Sequence, residues 1–170
     1  MRQKLVKGLR DADELVRIEV CEALANIGDP QAIPALRKAL RDTSPLVRSY
    51  AAAAIGVLGS KNDIPTLETQ LRNEFSDAAK VGLYHGLFKL GKLDMLVGLS
   101  GLLQSSDYRV RCAVANTLCE VVADQDSARI ILPELRKALS LESTVAAQEA
   151  IENSLTVLRQ VASKRRSRAG

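Results

Sequence analysis

His85 is the only histidine among 170 residues, and the thiols are three: Cys21, Cys112 and Cys119. A metal site built on paired histidines, as in a His-Glu-x-x-His helix, therefore lacks ligands, and the cysteines do not have zinc-like spacing. Cys112 and Cys119 fall two turns apart on one expected helix, roughly 10 Å, beyond the ~7 Å reach of a disulfide. Isolated structural cysteines in a reducing cytoplasm are the expectation. Asp124 and Asp126 read as a solvated acidic turn rather than a cation site. No glycine-rich loop leads into a Lys-Ser or Lys-Thr pair, so a nucleotide phosphate cradle is not expected. A cysteine nucleophile served by His85 is the remaining catalytic pairing, and nothing in the spacing favours it. The residues point to recognition without a cofactor, not to an enzyme.

Composition narrows the class further. Hydrophobic residues make up 46% and charged residues 26%, a soluble globular balance. Aromatics reach only 3%, with no Trp, which leaves the core to Leu, Ala, Val and Ile. The longest uncharged stretches, such as Met95 to Ser106, fall short of the ~18 residues of a membrane span. Arg2, Lys4, Lys7 and Arg10 interrupt any apolar run that a secretory signal would need, so a cytoplasmic protein is expected. The net charge is +4, and Lys164, Arg165, Arg166 and Arg168 supply four positive charges in an expected flexible tail, 163–170. The rest of the chain carries 20 basic and 20 acidic residues, so the arrangement of charge is informative and its total is not.

The elements that position these residues follow from a repeat. Leu9-Arg10-Asp11 and Leu15-Val16-Arg17 recur 31 residues later as Leu40-Arg41-Asp42 and Leu46-Val47-Arg48. Ala23-Leu24 and Ile33-Pro34-Ala35-Leu36 recur at the same shift as Ala54-Ile55 and Ile64-Pro65-Thr66-Leu67. A fixed period of this length means a repeat architecture. Each unit reads as two helices. In the first, from Pro45 to Leu58, Val47, Ala51, Ala54, Ile55 and Leu58 have helical spacing, Thr43 or Ser44 can cap it, and Gly59 can stop it. The second, near Asp63 to Leu71, has Ile64, Leu67 and Leu71 on one face. One such pair cannot bury its own apolar stripe, but stacked pairs share a continuous core.

The run Asp42-x-Ser44-Pro45-x-Val47-Arg48, then Ala51-Ala52-x-Ala54-Ile55-Gly56-x-Leu58-Gly59 and Ile64-Pro65-x-Leu67, resembles HEAT repeats of the short bacterial, phycobilin-lyase-like kind. The likeness is strong over 9–72 and looser over 73–161. It implies an all-α fold, a right-handed α-solenoid of about five stacked antiparallel helix pairs. One domain is expected over 1–162: a half-repeat at 1–10, repeats near 11–41, 42–72, 73–104 and 105–140, and a degenerate cap at 141–162. Opening on half a repeat raises the expectation of a piece of a longer solenoid. Such repeats serve scaffolds, enzyme subunits and repair proteins alike, so the likeness specifies fold far better than function. The His-Glu pairs of the iron-dependent HEAT-repeat hydroxylases are absent.

Two cation patterns compete for a role. Arg17, Arg48, Lys80 and Arg111 share one register, and Asp11 and Asp42 precede the first two by six residues. The resemblance implies that such Asp/Arg pairs tie neighbouring repeats together, with weaker junctions where Asn73 and Ser105 replace the acid. The second pattern lies on the second helices, which the resemblance places on the concave surface. With Ile33, Leu36 and Leu40 inward, a rotation of about 100° per residue turns Pro34, Lys38 and Arg41 outward, with Arg37 on the flank. The same register holds Lys4, Lys7 and Arg10, then Thr69 and Arg72, and finally Glu134 and Lys137. Helix-dipole preference for cations near a C-terminus, about 0.3–1 kcal/mol each, accounts for part of this enrichment.

The third unit departs from the rest, with Gly82, Gly86, Gly98 and Gly101 inside expected helices and Phe75, Tyr84, His85, Phe88 and Met95 nearby. These glycines fit either a partner cleft at Tyr84 or tight helix packing, and the packing is favoured. The expected function is a protein-binding scaffold or adaptor. Its basic surface, Lys7, Arg10, Arg37, Lys38, Arg41, Arg72 and Lys137 with Tyr84, would hold a protein with an acidic surface, such as the partner of an immunity or regulatory protein. The alternatives are nucleic-acid binding by the same face, for which base-stacking aromatics are few, and a bilin lyase-type or chaperone subunit. No membrane partner is expected.

Overall fold

The computed structural model describes residues 2–163, with side chains from residue 5 onward; of the expected basic tail at 163–170, Ser163 is instead the last residue of a helix and 164–170 lie outside the described residues. Among the described residues there are ten α-helices, three short 3-10 turns and no strand. The chain divides into two compact units, Met1–Met95 and Leu96–Gly170.

The first unit contains α1 (Arg2–Gly8), α2 (Glu14–Ile27), α3 (Ile33–Ala39), α4 (Pro45–Leu58), α5 (Ile64–Asn73) and α6 (Asp77–Lys89). The first helices of successive repeats stack, α2 on α4 and α4 on α6, while α1, α3 and α5 pack against α2, α4 and α6 respectively. This is the helix-pair stacking of an α-solenoid. Local chemistry sets the boundaries. Asp13 accepts from the Leu15 N–H and Ser44 from the Val47 N–H, closing the first turns of α2 and α4. Gly28 ends α2 at φ 74°, a left-handed position that suits glycine. The expected helix from Pro45 to Leu58 has those bounds. The second helices are entered by 3-10 turns, Pro30–Ala32 and Lys61–Asp63. Leu24, Leu36, Ile55, Leu67, Leu83 and Leu87 are fully buried between the layers, each contributing about 1.5–3 kcal/mol of apolar burial.

At the α4–α6 crossing, a Cβ on Gly82 would overlap the Ser49 carbonyl, and one on Gly86 would overlap that of Ala52. The Gly82 N–H also donates to Ser49 Oγ at 3.0 Å. These two glycines are filled by helix packing, not left as a cleft. Phe75, expected to gather with them, is instead 94% exposed in the turn before α6. Gly101 has open space where a Cβ would stand.

The second unit contains most of α7 (Met95–Gly101), the 3-10 turn Leu102–Gln104, α8 (Tyr108–Val121), α9 (Gln125–Leu141) and α10 (Val145–Ser163). α10 packs on both α8 and α9, and Ile151, Leu155 and Leu158 of α10, Leu118 of α8, and Ile131 and Leu135 of α9 are all buried. The acidic segment at Asp124 is not a free turn: Asp124 caps α9 by accepting from the Ser127 N–H. Asp126 thereby falls in the first turn of α9, and Pro133 lies inside the helix.

The arginine column ties repeats together within each unit. Arg17 donates from Nε and Nη2 to both oxygens of Asp42, at 2.9 Å each, and from Nη1 to the Asp11 and Ala12 carbonyls. Arg48 does the same with Glu74, at 2.8 and 2.9 Å, and the Asp42 and Thr43 carbonyls. Arg111 repeats it with Glu142 and the Ser105 and Ser106 carbonyls. The junction expected to be weak at Asn73 is therefore intact: Glu74, the next residue, supplies the acid. Lys80 bonds Asp77 in its own helix at 3.3 Å, since a single ammonium cannot reproduce the planar fork.

Candidate partner-binding groove

A groove of about 890 Å³ opens in the first unit between α1 and α3, toward the upper end of the roughly 300–1,000 Å³ of ligand clefts. Its walls repeat each other at the 31-residue period. Lys7 and Arg10 come from the end of α1 and the turn after it, and Lys38 and Arg41 from the end of α3 and its turn. The helical register that buries Leu36, Ala39 and Leu40 sends Lys38 and Arg41 outward. All four cations are exposed, and among the described residues none takes part in an ion pair. Val6, Leu9, Pro34, Ala35 and Ala39 line the apolar part, and no aromatic residue does.

Arg17, Asp42 and Asp11 also reach the lining. Arg17 and Asp42 neutralise each other, and both are saturated: Asp42 accepts additionally from the Ser44 N–H. Burial pushes the Asp42 carboxyl up, but the Arg17 and Ser44 hydrogen bonds outweigh it and leave it below its ordinary value. Asp11 is then the one acid set against four available cations in the lining. The acids of the unit concentrate elsewhere, with Asp13, Glu14, Glu19 and Glu22 exposed on or before α2.

The remaining expected contacts are dispersed. Arg37 leaves the groove and donates to the buried Asp63 at 2.7 Å; Asp63 also accepts from the Ser60 N–H, so Arg37 fastens α3 to the turn entering α5. Arg72 is exposed at the end of α5, outside the groove lining, and donates to Thr69 Oγ1 at 3.0 Å. Tyr84 is half-buried on α6, and Lys137 is exposed on α9 in the second unit. The sequence register alone did not reveal the apolar lining or the Arg37–Asp63 pair. Leu9 and Leu40 recur at one shift, yet only Leu40 is buried, while Leu9 is half-buried in the groove lining.

No catalytic arrangement emerges around the thiols. Burial, with Asp42 and Glu22 adding, pushes the Cys21 thiol up to about 12, the reverse of an activated nucleophile. Burial likewise raises Cys112, and Cys119 donates to Ser154 Oγ at 3.2 Å. Among the described residues no group of three His, Cys, Asp or Glu could hold a metal ion, and no helix is long and apolar enough to cross a membrane.

No curated protein matches the chain. The family described as HEAT repeats matches residues 2–82, a span that contains α1 to α5, both walls of the groove and the Arg17 and Arg48 ties. Such repeats generally act as protein-interaction scaffolds. With that match and the stacked helix pairs beneath it, residues 2–82 of this chain are HEAT repeats.

Proposed function

We propose that this protein is a non-enzymatic binding module whose groove between α1 and α3 holds an acidic segment of a protein partner. The observation that carries the reading is the convergence of Lys7, Arg10, Lys38 and Arg41 on one groove, exposed and without ion pairs, in a chain whose body is otherwise balanced in charge. Aligned cations raise the local potential over a concave wall and steer an acidic partner toward it. The lining offers no aromatic platform for base stacking, so a protein segment is favoured over a nucleic acid.

Fluorescence anisotropy with a short labelled glutamate-rich peptide tests this. Lys38→Glu with Arg41→Glu should weaken the peptide by about tenfold or more, while Lys61→Glu, an exposed cation outside the lining, leaves it within about twofold. A labelled oligothymidylate of equal charge is the competing probe. Tighter oligonucleotide binding, falling log-linearly with salt, would replace this reading with the nucleic-acid one.

A further inference from the structure

The groove is not uniformly charged. Its two cation pairs, Lys7 with Arg10 and Lys38 with Arg41, stand on separate helices, and the aliphatic surface of Val6, Leu9, Pro34 and Ala35 belongs to the same opening. Val6, Leu9 and Ala35 are only half-buried although they are apolar. The neighbouring repeat shows that this pattern is local: Thr69 stands where Lys38 would recur, and Arg72 donates to that threonine on its own helix. The paired cations of α1 and α3 therefore do not recur on α5.

We propose that the occupant is an acidic peptide segment with a bulky aliphatic side chain between its carboxylates. The aliphatic group enters against Val6, Leu9 and Ala35, and carboxylates on either side meet the α1 pair and the α3 pair. This rests on the acidic-segment reading above and adds what distinguishes one acidic sequence from another. Simple charge attraction would not need the aliphatic surface; a segment that covers it gains apolar burial in addition to the ion contacts.

The same geometry gives the ligand a structural effect. α1 is seven residues long and packs on α2, held through half-buried Leu5, Val6 and Leu9. A helix that short is marginal by itself, and an element with few buried contacts opens at low free energy. A segment that touches α1 and α3 together must reduce the opening of α1.

The test compares two peptides of equal charge and length on the unmodified protein, one of glutamate and glycine and one of glutamate and leucine, by anisotropy and by amide hydrogen exchange. The leucine peptide should bind about tenfold tighter and slow exchange of the amides at 5–10, while Ala35→Leu, which fills the opening, should abolish that preference. Equal affinity of the two peptides overturns the aliphatic-anchor proposal and leaves the basic-groove reading standing. Binding by neither peptide overturns both. Tighter leucine-peptide binding with protection confined to helices other than α1 overturns the assignment to this groove.

Discussion

A guanidinium that joins two repeats is worth more to this protein than one that faces solvent. Arg48 has its side chain 16% exposed and Glu74 only 5%, and the arginine also satisfies the Asp42 and Thr43 carbonyls. Its hydrogen bonds hold the Glu74 carboxyl below the ordinary range. Arg48→Ala leaves a largely buried carboxylate without its cation and should cost about 3 kcal/mol, read as a lower urea midpoint. Peptide binding at the groove should stay within about twofold once folding is accounted for, because Arg48 is not a lining residue. Glu142 offers the matching pH experiment. The Arg111 hydrogen bonds, with the Thr144 and Ser143 amides, hold it at about 2 against an ordinary 4.5. A carboxyl lowered on folding stabilises fully above its unfolded value, and that contribution disappears as pH falls through the folded one. Stability of the second unit should therefore decline between about pH 4.5 and pH 2. Glu142→Gln should flatten that decline in urea titrations; an unaltered slope would mean that other carboxylates dominate it.

At the scale of the helix, glycines of one type have opposite roles. Gly82 and Gly86 let α6 lie backbone to backbone on α4, where any Cβ would enter a carbonyl. Gly82→Ala should therefore cost roughly 1–3 kcal/mol or more as an overpacking change, although alanine is the better helix former. Gly101 closes α7 in a helical conformation, with open space around it, so Gly101→Ala should be neutral or stabilising by up to about 1 kcal/mol. Thermal unfolding of the two variants separates packing from propensity by the sign of the shift. Helical spacing, caps and the period of 31 were enough to locate α2 to α5. They could not distinguish a packed glycine from an open one, because that depends on the neighbouring helix. The same limit hid the start of α9, where Asp124 reads as part of an acidic turn until its bond to the Ser127 amide makes it a cap.

Across the whole molecule, charge is separated rather than accumulated. The groove takes its cations from residues 7–41, and Asp13, Glu14, Glu19 and Glu22 of the same unit lie exposed on or before α2. Lys164, Arg165, Arg166 and Arg168 account for the net charge of +4, since the rest of the chain balances 20 basic against 20 acidic residues. A chain ending at Ser163 should keep its helical circular dichroism and its equilibrium affinity for the glutamate-rich peptide within about twofold, with any change confined to the association rate. A larger loss of affinity would place the tail in the recognition surface.

What could be read from the amino-acid sequence is whatever repeats: the helix-pair unit, its buried Leu, Ile and Ala positions, the arginine register, and the outward cations at Lys7, Arg10, Lys38 and Arg41. These follow from periodicity, which is local and survives without knowledge of neighbours. Tertiary structure alone decided which of the exposed cations were already committed. Arg37 and Lys38 are adjacent in sequence and equally polar, yet one is bound to Asp63 and the other faces the groove. The difference is made by a carboxylate 26 residues away, and contact at that separation is a property of packed helices, not of the pattern along one of them.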